Sequence, residues 1–566
     1  MARTSALVTF GLFALEIKAA SAFAASDEQT FSKVADLKTG NVVTIPLVTY
    51  EPDYWLLSGA YKFKPVSDAA VRAGLISLSQ SDDTGAFDTP PTVTITFLSA
   101  QSSDSLNIRF AQASDDYSDD LDVAYYDADD EIIRTDNYTP DNWQFSTDEP
   151  VSNFAKIIIT FNSTNKPYRF LRVTGIDFGT LISFTADAIK SAEVVEQVDP
   201  LSVQLPVGSF DLSLFSSDAT FSIINPTGDY AALQERQPLD VYATIDGGQI
   251  YIGKYFLDKW ENPSDKQVIF RAIDAIGILD TIPYVGGIWT TATTAGSVIA
   301  DIFAAAQLPY DLDATLTDAE VKGWIPYSNC REALQQVAFA IGAHVLSSRS
   351  GIVRIYPTTL AADASGYAGT ITKSQKAMSD QSLTLKTLIT GVEVTSHDYL
   401  ANTEALTLYD AELGAGRYTI KFGQPARALV ITGAAIIESG ANYAIIDVET
   451  AGAVELTGNG YTDTTSIRTV TAGGLSNVSK KIVEVKTATL VNGSNVDTIA
   501  QRVFDYYQQR YLQKVKLFAS LAQPSETVEV ETLYNRKIAG TIERMTTNLS
   551  GGFVSRAEIV GVVSDD

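Results

Sequence analysis

Apolar and polar residues alternate with a period of two through most of this chain. Thr92-Val-Thr-Ile-Thr-Phe97 and Leu106-Asn-Ile-Arg-Phe110 alternate strictly. Asp122-Val-Ala-Tyr-Tyr-Asp127, Lys156-Ile-Ile-Ile-Thr-Phe161 and Tyr168-Arg-Phe-Leu-Arg-Val-Thr-Gly-Ile176 follow, with polar turns between them. Successive strand side chains face opposite sides of a sheet, so these runs predict half-buried strands. Short strands at this spacing predict a β-sandwich or jelly roll over residues 1–185. A second β-rich section covers 186–290. In it Phe210-Asp-Leu-Ser-Leu214 precedes a hairpin signal, Leu239 to Ile245, an Asp-Gly-Gly turn at 246–248, and Gln249 to Phe256.

Over 291–375 the period changes to 3.6. Ser297 to Ala306 places Val298, Ile302 and Ala305 on one helical face, and Asn329 is a suitable N-cap for a helix from Arg331 to Gly342. A hairpin from His344 through an Arg-Ser-Gly turn to Ile352–Tyr356 completes a small α+β unit. Residues 376–566 return to strands, including Gly391 to Thr395 and Val528 to Thr532, with one helix from Asn495 to Gln513. Near 400–480 lies an insertion rich in Gly, Thr and Ala, which reads as a looser β region. The predicted fold class is a mainly β, multidomain chain. A length of 566 residues agrees with several domains, because single cores stop growing at about 250–300 residues.

The apolar run Ala6 to Ile17, followed by Ala22-Phe-Ala-Ala25, imitates a secretory leader with its cleavage site. Glu16 and Lys18 interrupt it, and Val8, Phe10 and Leu12 alternate, so a strand is expected there. No run reaches the roughly 20 apolar residues of a membrane span.

Charge and composition narrow the function. With 68 acidic against 41 basic residues the formal charge is −27, a surface that repels phosphate backbones and anionic lipid. One cysteine, Cys330, excludes an intramolecular disulfide framework. Of the two histidines, His344 reads as lying inside an apolar helix and His397 in a polar turn after a strand. That is no supply for a histidine zinc site or for a nucleophile–histidine pair, so no catalytic, metal or cofactor residue is expected. The acidic turn Asp127-Ala-Asp-Asp-Glu131 lacks the glycine and distal glutamate of an EF-hand loop, which favours a solvated hairpin turn over a calcium site. Thr471-Ala-Gly-Gly474 has no context for a phosphate loop. Trp55 and Trp143, with Tyr54, Tyr125 and Tyr126, are the aromatics suited to stacking on sugar rings, although a sandwich core uses the same residues.

One ordered set of motifs goes further. Asp199-Pro-Leu-Ser, Phe221-Ser-Ile-Ile-Asn-Pro226 and Leu233-Gln-Glu-Arg-Gln-Pro-Leu239 come first. Ile252-Gly-Lys-Tyr-Phe-Leu-Asp-Lys-Trp-Glu261, Phe270-Arg-Ala-Ile-Asp-Ala-Ile-Gly277 and the helix Cys330-Arg-Glu-Ala-Leu to Gly342 follow. In this order they resemble tail proteins of viruses and prophages of Gram-positive bacteria, specifically the central baseplate (tail-tip) hub family of long-tailed phages. The resemblance is good over 185–360 and looser beyond. Residues 1–185 resemble galactose-binding-like sandwiches through Phe154 to Phe161 and Tyr168 to Gly179.

The resemblance implies a homotrimer in a virion, at the distal end of the tail. Each copy would supply two β-barrel-like domains, 186–290 and 376–566, so that three copies adapt a hexameric tail tube to a threefold tip. Expected partners are the distal tail or tail-tube protein, the tape-measure protein and tail-fibre or receptor-binding proteins, with a part in host attachment and DNA ejection. The alternative is an adhesin whose sandwich binds host cell-surface glycan through Trp55 and Trp143. A cell-wall hydrolase is the third reading, for which the chain offers no catalytic constellation.

Overall fold

The computed structural model describes residues 4–39, 42, 49–52, 54, 73–147, 149–215, 235–245, 248–264, 266–364, 366–377, 381–473, 479–518, 520–532, 536–550 and 552–564. Trp55 and the motif at 221–226 lie outside them. The chain is mainly β, with several sheets, as the alternating pattern predicts. It divides into two compact units, one of Thr9–Phe184 with Ala231–Leu239, the other of Met1–Val8, Thr185–Tyr230 and Asp240–Asp566.

The first unit is a sandwich. One antiparallel sheet runs Ser21–Ala25, Thr92–Ser103, Val151–Ser163, Asp120–Tyr126, Ile132–Tyr138. In the other, Phe170–Phe184 pairs with both Leu75–Gln80 and Leu106–Phe110. Alternation in sequence has become alternation in burial: Leu121, Val123 and Tyr125 are buried while Asp120, Asp122 and Ala124 are half-buried. Phe110 meets Phe161 edge-on at 6.1 Å, and Phe97 meets Phe154 and Phe178 at 5.5 and 5.6 Å, the edge-to-face geometry that aromatic quadrupoles favour. The N-terminal apolar run is a strand, Thr4–Phe13, followed by a short helix, Leu15–Ala20. Lys18, which interrupts that run, is buried and donates to Asp177 at 2.6 Å; Arg109 donates to the same carboxylate at 2.7 Å.

The second unit begins with β1 (Ile189–Gln197), β2 (Ser209–Phe215), β3 (Gly248–Ser264) and β4 (Gln267–Ile273). Helices α1 (Ala275–Leu279) and α2 (Ala295–Ala306), strand β5 (Glu320–Ile325) and helix α3 (Cys330–Ile341) follow. Next come β6 (Ala343–Leu346), β7 (Val353–Pro357) and β8 (Ser382–Leu385). A long ribbon, β9 (Gly391–Leu413) with β10 (Gly452–Thr471), precedes β11 (Ile482–Val485) and α4 (Val496–Gln508). The chain closes with β12 (Tyr511–Phe518), β13 (Thr527–Glu531), β14 (Lys537–Asn548) and β15 (Val554–Ser564). One sheet takes strands from both ends of this unit, in the order β8-β12-β15-β14-β1-β2-β4-β3. Its seam is the antiparallel register of β1 on β14, from Glu193↔Asn548 to Gln197↔Arg544.

Several expectations are corrected. Asn329 does cap α3, accepting from the Glu332 N–H at 2.8 Å, and Gly342 ends it in the left-handed conformation at φ +77°. His344 therefore lies in β6, where the expected hairpin begins, and not inside the helix. His397 lies in mid-strand, because β9 stays paired with β10 from Gly391 to Leu413 with two bulges. The helix expected to reach Gln513 stops at Gln508. Tyr511 onward alternates, and pairing with β15 over eight residues wins. The insertion is regular: Arg427–Thr432 joins the ribbon, and Gly416–Lys421, Tyr443–Val448 and Ala435–Ser439 form a second sheet over their own core of Ile420, Phe422, Ile446 and Leu456.

Asn442, fully buried, joins that insertion to the α+β elements. Its Nδ2 donates to the carbonyls of Val285 and Ile325 at 2.9 and 2.8 Å, and its Oδ1 accepts from Trp324 Nε1 at 2.7 Å. Asn442→Ala removes all three bonds. The orphaned indole N–H alone is expected to cost about 1–3 kcal/mol. Hydrogen exchange of the substituted protein is predicted to show residues 416–448 losing protection before β14 and β15 do.

Candidate functional site

Buried polar groups near the ends of β1 and β4 form one constellation in the second unit. Strand β4 ends in Asp274, the acidic residue of the motif Phe270 to Gly277. Asp274 Oδ1 accepts from the Gly277 N–H at 3.1 Å and caps α1, while Oδ2 accepts from the Gly208 N–H at 2.9 Å and the Ser347 hydroxyl at 2.8 Å. Burial raises its carboxyl to about 6 against these stabilising donors. Gly208 is required here, since a Cβ would stand 2.7 Å from Asp274 Oδ2 and 3.1 Å from the Val195 carbonyl oxygen. Close by in the chain, Glu196 of β1 is 1 % exposed and accepts twice from Arg349, each bond 2.9 Å. The planar guanidinium matches both carboxylate oxygens, which makes burial of the pair tolerable. These groups hold strand ends together.

A second cluster forms where α4 crosses β14. The β14 register slips between Ile542 and Arg544, and this bulge carries Glu543. Tyr506 of α4 donates to Glu543 Oε1 at 2.8 Å, and Lys386 Nζ lies 5.1 Å from the centre of the Tyr506 ring. Burial, reinforced by the charges of Asp199 and Glu558, lifts the Glu543 carboxyl to about 7 against the Tyr506 bond and Lys386. Burial likewise raises Asp199, although backbone N–H groups of residues 201–204 point at it. No residue pattern marks Glu543: a bulge that turns one side chain inward is set by the partner strand.

The residues singled out by their chemistry are not brought together. Cys330 opens α3 in an apolar core with Leu334, Val337 and Ile302, and burial pushes its thiol up to about 11. His344 lies on β6 near Thr358, 3.4 Å from its Nδ1, and burial pulls it down to about 4, with Arg354 adding to the shift. His397 is on the ribbon, Nδ1 2.8 Å from Asp463 Oδ2 and Nε2 3.2 Å from the Lys486 carbonyl oxygen. In the sandwich, Asp127 Oδ1 accepts from the N–H groups of Asp129 and Glu131 at 2.9 and 3.0 Å, which closes a hairpin turn. Asp116 of the neighbouring acidic stretch pairs with Arg169 at 3.2 Å and Lys166 at 3.0 Å. Trp143 is half-buried against the sandwich core, and Tyr54 lies under Arg172 at 4.3 Å. Among the described residues no group of three or more His, Cys, Asp or Glu side chains is placed to hold a metal ion, and no helix is long and apolar enough to cross a membrane.

No family model matches the chain, and no curated protein matches it. Among solved structures it is similar to the tail protein from Neisseria meningitidis MC58, at 11% identity over 67% of this chain and 93% of that one, with a TM-score of 0.41. It is similar also to the 43 kDa tail protein of prophage MuSo2 from Shewanella oneidensis, at 9% identity, 67% and 95% coverage and a TM-score of 0.39. Prophage tail protein gp18 from Listeria monocytogenes EGD-e gives 10%, 67% and 91%, and 0.37. With every one of these TM-scores below 0.5, the likenesses assign neither a role nor a partner to this chain.

The Glu543 cluster yields a pH-dependent expectation. A carboxyl raised in the folded state adds stability that is fully present below the ordinary glutamate range, and this is lost as pH rises through about 7. Glu543→Gln keeps an oxygen to accept from Tyr506 and has no charge to bury. The substituted protein is predicted to be more stable than the parent at pH 8.5 by about 1–3 kcal/mol, because moving a pKa by one corresponds to about 1.4 kcal/mol. That advantage shrinks by pH 5.5. Melting curves at the two pH values check it; an advantage independent of pH would contradict the assignment.

Proposed function

We propose that this chain is a structural subunit of a phage-type tail: the tip hub, a homotrimer at the distal end of the virion tail. In this reading it adapts a hexameric tube to a threefold tip and supports host attachment and DNA ejection. The supporting observation is the β1–β14 seam. It places the β section 189–273 edge to edge with the β section 382–564 in one wall. A copy that contributes two β sections side by side is the unit needed for three copies to build a ring with six similar positions. Closing such a ring takes head-to-tail contacts between unlike surfaces. The motif order over 199–342 agrees with this role, since Asp274 and the Asn329-capped helix serve packing and not chemistry.

The partners that follow are the tail-tube and tape-measure proteins on one side and fibre or receptor-binding proteins on the other. An overall charge of −27 disfavours grip on the DNA backbone itself. The chain acts by assembly and not by catalysis. The sandwich is the part read as a candidate for glycan contact, with the half-buried Trp143 as its candidate stacking residue.

Mass measurement on the purified full-length protein at micromolar concentration tests the proposal. Three chain masses, with threefold rings in particle images, are expected. A monodisperse monomer with no ring would overturn it.

A further inference from the structure

A cavity of about 100 Å³ lies between His344 of β6, the end of β7 and the strand pair β13–β14. Thr527 and Thr541, register partners on that pair, line it together with Ser525. The hydroxyls of these three residues make no hydrogen bond to a described residue. His344 is 9 % exposed, and its buried Nε2 has no hydrogen-bond partner among the described residues. None of the lining residues is an acid, a lysine or an arginine. Uncharged donors and acceptors thus converge on one small volume, where polar groups left unpaired are costly.

The bonds around the ring fix what the cavity can take. Thr358 spends its one hydroxyl proton on the Pro200 carbonyl oxygen, 2.7 Å away. Toward His344 Nδ1, at 3.4 Å, the Thr358 oxygen can therefore only accept. The ring N–H is on Nδ1, and Nε2 presents a lone pair. Burial, with Arg354 adding to it, pulls the imidazole down to about 4, so the ring is uncharged at neutral pH. A lone pair repels an anion, and one nitrogen among neutral hydroxyls is a poor donor set for a transition metal. We propose that the cavity is a binding site for a neutral hydroxyl donor, which gives an O–H to His344 Nε2 and exchanges hydrogen bonds with Ser525, Thr527 and Thr541. Water and a small polyol share this chemistry. A water molecule takes about 30 Å³ in the liquid, so the volume admits roughly three, or one molecule of glycerol size. Pro357 and Thr359, also of the lining, are exposed, which leaves a way in. The bound molecule joins β6 to β13 and β14, elements far apart in the sequence. This inference does not rest on the tail reading.

Crystals of the full-length protein grown without polyol, and the same crystals soaked in glycerol, distinguish the two sources. Water density at hydrogen-bonding distance from Nε2 is expected in the first. In the second, glycerol replaces it if a polyol is the ligand, and water stays if water is. In solution, ¹⁵N-histidine labelling gives two ring systems, because the chain has two histidines, and His397→Gln leaves that of His344. At pH 7.5 Nδ1 is expected in the range of a protonated nitrogen and Nε2 in that of a bare one. Thr541→Val keeps the side-chain shape and removes one hydroxyl. Binding of the occupant is expected to weaken about threefold to tenfold, the loss of one neutral hydrogen bond. Thr527→Val, directly across the strand pair, gives the same reading if the first variant does not fold. No density beside Nε2 in either crystal would overturn the inference. So would a proton on Nε2 at pH 7.5, or a folded valine variant that binds as the parent does.

Discussion

The wall shared by the two β sections of the larger unit depends on one long-range pairing, β1 on β14. Glu193 and Asn548 are register partners although roughly 350 residues separate them, and closing so long a loop costs entropy that grows only with the logarithm of its length. Once closed, the pairing leaves β1 with β2 on one side and β14 on the other, so neither of its edges is free. Two of the polar groups lie on these strands: Glu196 near the end of β1 takes Arg349 from the β6–β7 turn, and Glu543 sits on the bulge of β14. Asp274, off both strands, ties the start of β2 to the end of β4. Each joins segments that the chain order keeps far apart.

Much of the architecture was legible because it is written in local periods. The alternation of Leu121, Val123 and Tyr125 gives a strand wherever those residues find a core. Asn329 and Gly342 bound a helix by satisfying N–H groups and by a left-handed turn, both decided by the residue itself. What was illegible is pairing. Nothing local says that Tyr511 to Phe518 pairs with β15 and so ends the helix at Gln508. Nothing says that the Gly- and Thr-rich stretch near 400–480 continues one ribbon through His397. The candidate site divides in the same way: Asp274 was visible as a motif end, whereas Arg349 on Glu196 and Glu543 under Tyr506 exist only after distant strands meet. Of the two tryptophans proposed for sugar stacking, Trp143 is found half-buried against the sandwich core and Trp55 lies outside the described residues.

Several buried carboxylates are held by more than one bond. Lys18 and Arg109 share Asp177, Arg169 and Lys166 share Asp116, and Arg349 grips Glu196 through both oxygens. Replacing such pairs by apolar residues is often neutral for stability, while breaking one is costly, so their use is chiefly to fix one register against others. In the proposed role, presenting defined surfaces to neighbours in an assembly, that kind of specificity matters more than extra stability.

The central claim is that sections 189–273 and 382–564 are one cooperative sheet, and native-state hydrogen exchange along β1 and β14 tests it most directly. Cross-strand amides of Glu193 to Gln197 and of Arg544 to Asn548 are predicted to open with a single free energy and the same denaturant dependence, that of the whole unit. If β14 exchanges with the C-terminal strands while β1 stays protected, the two sections are separate domains that only touch, and the claim of one shared wall is contradicted.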